Sequence, residues 1–231
     1  EQGTGYQVRR LRLSASGGTL GWTAGQSWGQ FLNPLSAVTL HPSGYLVGVN
    51  AQTGKLDIHK IPANPTADAN LPPLSSSHAG PGTRPGLTQT PVGVAITITG
   101  VVVVLEAGAN QLQSFDLTGN PVAYFGTDPN NLSYYAALAS GENDTLLSLA
   151  VDGQGWFYVL SYTGDGSQVG DYAVDVYNAQ GTHIVRSAGL NAATFDVDYW
   201  RNIFALNWAP LANTDGTAHV DATTGVVEPS T

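Results

Sequence analysis

Residues 101–126 read VVVVLEAGANQLQSFDLTGNPVAYFG. The opening run of valines and leucine does not alternate with polar residues, so it reads as a strand covered on both faces. A polar turn follows at 107–110. An alternating, wetter strand marked by Gln111, Gln113 and Asp116 leads to a second turn at Thr118-Gly119-Asn120-Pro121. A strand buried on both faces needs a layer on each side, and almost no 3.6-residue periodicity is present to supply helices. The cover is expected to come from other strands.

Composition agrees. Of 231 residues, 42% are hydrophobic and 11% charged, with 28 Gly and 13 Pro, a balance that favours strands and turns. A chain this long buries about 70–75% of its unfolded surface, enough for a sizeable core. The 8 Lys+Arg against 17 Asp+Glu give a formal charge of −9. The longest basic cluster is Arg9-Arg10-Leu11-Arg12, so nucleic acid and anionic membranes, which select clustered positive charge, are not expected partners. Cysteine is absent, which excludes disulfides and thiolate metal sites. The most apolar window, 92–105, is too short and too interrupted by Thr97, Thr99 and Gly100 to span a bilayer. The chain opens Glu1-Gln2 and lacks methionine, and so reads as a processed product or a fragment. Its low charge and its Thr, Ser, Asn and Gly content suit an extracellular or cell-surface protein.

The grammar of 101–126 recurs. Residues 37–61, 93–117, 148–178 and 193–223 each give a short apolar strand, a turn, a strongly apolar strand, a polar loop and an alternating strand. The turns are His41-Pro42-Ser43-Gly44, Thr97-Ile98-Thr99-Gly100, Asp152-Gly153-Gln154-Gly155 and the run from Asp198 to Asn202. Fourth strands are expected at 122–126, 183–189 and 226–228, after second glycine turns. Gly44, Gly100, Gly155 and Asn202 recur at intervals of roughly 50 residues, and four antiparallel strands per unit of that length mark a β-propeller blade.

The segment 93–126 resembles an NHL repeat, with an apolar strand, a turn ending in Gly, a second apolar strand, an Asn-containing turn and an aromatic-bearing third strand. Glu106 departs from that pattern, where Asp is more frequent. The resemblance implies a propeller of the superfamily that also contains gluconolactonase-type enzymes. The expected architecture is all-β, with four complete blades plus a half. Residues 5–25 form the half blade with its turn at 14–18. The blades are 35–61, 92–127, 145–190 and 191–231. The Pro/Ser/Gly-rich stretch 62–91 reads either as a binding loop or as an irregular spacer. An incomplete ring implies a larger propeller protein, or completion by another copy or another protein.

No catalytic residue emerges. Gly25-Gln26-Ser27-Trp28-Gly29 matches a nucleophile-elbow pattern without the helix that must follow the serine. The five histidines lack metal-ligand spacing, and the glycine-rich loop holding Asp165 and Asp171 lacks the order of a calcium loop. In the gluconolactonase-type family a metal sits before the first strand of several blades. The matching positions, Ser36, Val92, Leu147 and Ala193, are not strong ligands, so neither metal nor cofactor is expected. Asn50, Glu106, Ser161 and Asn207 end the second strand of each blade and form a candidate ligand-binding rim, or else cap strand ends. Trp28, Tyr134, Tyr135 and Trp200 fall in loops or turns and are candidate anchors for a protein partner. The expected function is a non-catalytic interaction or structural module. A lactonase- or lyase-type enzyme and a carbohydrate-binding propeller are the alternatives.

Overall fold

In the computed structural model the described residues are 6–16, 19–31, 35–61, 76–141, 143–164, 171–190, 194–206, 219–220 and 227–228. Among them there are strands and turns but no helix. Three antiparallel meanders of four strands dominate. The first contains β3 (Ala37–His41), β4 (Tyr45–Asn50), β5 (Lys55–Lys60) and β6 (Ser76–His78). The second contains β7 (Pro91–Ile96), β8 (Val102–Glu106), β9 (Gln111–Phe115) and β10 (Tyr135–Ala137). The third contains β11 (Asp144–Val151), β12 (Phe157–Thr163), β13 (Tyr172–Tyr177) and β14 (His183–Leu190). Three two-stranded sheets complete the set: β1 (Tyr6–Ser16) with β2 (Thr19–Phe31), β15 (Thr194–Val197) with β16 (Ile203–Leu206), and β17 (His219–Val220) with β18 (Val227–Glu228).

The sheets stack face to face through the strand that opened the sequence reading. Val102 and Val104 of β8 point one way, with Val94 and Phe115, onto Val47, Val49, Leu56 and Ile58 of the first meander. Val103 and Leu105 point the other way, with Leu112, onto Leu146, Leu149, Phe157, Val159 and Tyr177 of the third. Every residue of β8 is buried, which is why the strand has no polar face. The third meander repeats the arrangement toward β15 and β16, where Ala150, Leu160 and Val174 meet Phe195. The first strands β3, β7, β11 and β15 lie side by side and line an open cavity of about 480 Å³.

Three expectations are corrected. The fourth strand of the second meander is Tyr135–Ala137, not 122–126. The chain leaves the β9 edge after Val122 and drives Phe125 into the core, edge-on to Phe157 at a centroid distance of 5.8 Å. The stretch 62–91 is not all loop, because Ser76–His78 pairs with β5. Residues 14–16 are strand, paired with Gly21, Leu20 and Thr19, so the hairpin turn is shorter than 14–18. Of the unit 191–231, the described residues form two separate two-stranded sheets, β15–β16 and β17–β18. The described residues do not close a ring.

This packing predicts a sharp contrast measured by urea unfolding. Leu105→Ala, at the buried seam, is expected to lose about 2–5 kcal/mol. Leu40→Ala, whose side chain is 60% exposed, is expected to stay within about 0.5 kcal/mol of the parent.

Candidate functional site

Each meander has two ends. At one end lie the turns between first and second strands and between third and fourth. Four first-to-second turns share one device. The residue that opens the turn offers a side-chain acceptor to the turn's own amides, and a residue of positive φ closes it. Ser43 N–H donates to His41 Nδ1 at 3.0 Å, and Val101 N–H to Thr97 Oγ1 at 3.0 Å. Asp152 Oδ1 accepts from Gln154 and Trp156 at 2.8 and 2.9 Å. Asp198 Oδ1 accepts from Trp200 and Asn202, both at 2.9 Å. The closing residues are Gly44, Gly100 and Gly155, with φ near +83°, and Arg201 at +73°. The sequence landmark in the fourth turn is therefore Arg201, one residue before Asn202. The third-to-fourth turns opened by Asp116 and Asn178 repeat the device, with Gly119 and Gly181 in the left-handed region.

Neighbouring turns are latched together. His41 Nε2 bonds the carbonyl oxygen of Gly100 at 3.1 Å. Arg201 stacks its guanidinium 3.8 Å over the Trp156 ring, pairs with Asp152 at 3.3 Å and bonds Gln154 Oε1. Tyr158 donates to Asp152 Oδ2, and burial, then the Asp152 charge, push its hydroxyl up to about 12. Tyr199 lies directly on Gly153, leaving no room for a Cβ there. Beyond these contacts the turn end presents bare apolar side chains. Ile98 is 71% exposed, Tyr199 57% and Trp200 76%, and Leu40, near the end of β3, is exposed as well. Tyr199 and Trp200 meet edge to face at 6.0 Å. Leu40, Ile98, Gly153 and Asp196 all border the central cavity.

The opposite end is closed by internal bonds. Asn50 is buried and its Oδ1 accepts from Gln52 and Thr53, both at 3.0 Å, holding the 51–54 turn. Glu106 is 0% exposed. Its carboxylate accepts from Gln89 N–H at 3.1 Å and from the side-chain amides of Gln111 and Gln113. Gln113 in turn bonds Leu87 O and Gly86 N–H, so this pair ties 79–90 to the strand ends. Burial raises the Glu106 pKa above its ordinary value, and these bonds restrain the rise. Ser161 is buried and does not end its strand, which runs on to Thr163. Asn207 lies outside the described residues. The three described members of the sequence-predicted rim thus face the protein interior.

The partner candidates divide. Trp200 is on an exposed turn as expected, and Tyr134 is exposed beside β10. Tyr135 is corrected from loop to strand, and its hydroxyl donates to Thr83 O at 3.4 Å. Trp28 is likewise in a strand, β2, opposite Val8. Ser27 is opposite Arg9 in the same strand, with no elbow turn. Ile98 and Tyr199 were missed. Their signal was a large apolar residue inside a capped turn, where burial is not available.

Among the described residues, no group of three His, Asp or Glu side chains is placed to hold a metal ion, and no helix is long and apolar enough to cross a membrane. No family model and no curated protein matches the chain. A solved chain described as "Structure of U3-55K" is similar at 11% identity and a TM-score of 0.47, covering 81% of this chain and 46% of that one.

Glu106→Ala removes the acceptor of three donors and is expected to cost about 2–4 kcal/mol in urea unfolding. A carboxyl with a raised folded-state pKa contributes most below its unfolded value of 4.5 and loses that contribution as pH rises through the folded value. Relative to Glu106→Gln, the parent protein is therefore expected to gain stability on acidification from neutral pH toward 4.5.

Proposed function

We propose that the chain is a non-catalytic interaction or structural module built of NHL-like propeller blades, working through its turn end. Two features support the blade reading: the repeated capped turn closed by a left-handed residue, and the side-by-side first strands bordering one cavity. The functional reading is carried by a single observation. The polar side chains of Asn50 and Glu106 are engaged in holding turns and loops, while Ile98, Tyr199 and Trp200 stand largely in solvent on one end. Exposed aromatic and aliphatic groups clustered beside a cavity are a binding surface for another macromolecule. An extracellular setting, and a partner that is a protein or another copy of the chain, belong to this proposal.

The test is affinity capture from extracellular and cell-surface fractions. The parent protein is expected to retain a partner stoichiometrically, and the double variant Ile98→Ser/Trp200→Ala to lose it with an unchanged melting temperature. Turnover of lactone substrates by the purified chain supplied with divalent metal, undiminished in that variant, would overturn the proposal.

A further inference from the structure

The turn end is acidic as well as apolar. Asp196 is exposed and lies across the β15–β16 ladder from Phe204, itself 44% exposed. Its Oδ1 accepts from Val197 N–H, leaving its other oxygen toward solvent. Asp198 follows two residues on. The side-chain amide of Asn202 and the turn amides hold its carboxyl below the usual range, so it is ionised at neutral pH beside Trp200. Arg201, in the same turn, is held by Asp152, Gln154 and the Trp156 ring, and among the described residues no ion pair involves Asp196 or Asp198. The whole chain carries −9. Such a surface repels acidic partners and attracts a segment in which apolar and cationic side chains alternate. The apolar groups cover Ile98, Leu40 and Phe204. The cations meet Asp196 and Asp198, and the exposed Trp200 face receives a cation as well.

We propose that this end recognises a protein segment in which apolar side chains alternate with lysine or arginine. This inference rests on the interaction-module reading and adds the chemistry of the partner. It is tested by fluorescence anisotropy with the full chain and three labelled peptides of about ten residues. One alternates leucine with lysine, one leucine with glutamate, and one serine with lysine. The leucine–lysine peptide is expected to bind at least about tenfold tighter than either control. Trp200→Ala and Asp196→Asn are each expected to weaken it about fivefold or more, without change in melting temperature. Asp196→Asn keeps the acceptor for Val197 N–H and so separates charge from folding.

Equal binding of the serine–lysine peptide reduces the effect to net charge and overturns the proposal. Equal binding of the leucine–glutamate peptide, or no binding of the leucine–lysine peptide, overturns it also. If the peptides fail while affinity capture still depends on Ile98 and Trp200, the partner chemistry falls and the interaction module stands.

Discussion

The burial of β8 on both faces is the constraint from which the rest of the arrangement follows. A strand with Val102, Val103, Val104 and Leu105 fully covered has no surface left for solvent, so sheets must lie on each side of it. The apolar side chains of the first and third meanders provide that cover, and neither meander could be removed without exposing a row of β-branched groups. Dispersion and hydrophobic contact at the two seams are therefore shared between sheets rather than local to one. The seams also fix how the first strands stand beside one another. Their side-by-side placement creates the cavity and sets the turns around its mouth.

The turns then decide what that mouth presents. A side-chain acceptor at the opening residue and a left-handed residue at the close allow a sharp reversal without orphaned amides. The middle residues are freed from satisfying the turn's own amides. In the second and fourth turns those positions are Ile98, Tyr199 and Trp200, and the tight reversal points them away from the core. The interlocking of Arg201 with Asp152 and Trp156 keeps the fourth turn in place, so its exposed aromatics are held on a fixed base. The opposite end has another logic. There Glu106 and Gln113 use their polarity to pin 79–90 over the strand ends, and the surface is closed by hydrogen bonds.

Much of this was legible in the chain itself. The valine run and the recurring Gly turns give the meanders because burial and turn chemistry are written in adjacent residues. The exposed turn position of Trp200 was legible for the same reason. The polar positions of Gln111–Phe115, by contrast, suggested a wetter strand, and Gln113 is instead buried with Glu106. Other features depend on distant contacts. Phe125 leaves the strand edge to pack against Phe157 in the core, and Tyr135–Ala137 takes the fourth-strand place. Ser76–His78 is hidden in a polar stretch, and its strand exists because β5 has an unpaired edge. Glu106 looked like a rim residue, and its partners Gln89 and Gln113 lie in other parts of the sequence. The use of Arg201, rather than its neighbour Asn202, as the left-handed residue reflects its pairing with Asp152 and Trp156.

Amide hydrogen exchange resolved to single residues measures the central claim directly. The amides of Val102–Leu105 are predicted to exchange slowest, in step with global unfolding, and those of the outer strand β14 to exchange faster. Faster exchange in Val102–Leu105 than in β14 would mean that β8 is not enclosed between two sheets, and the arrangement built on it would be wrong.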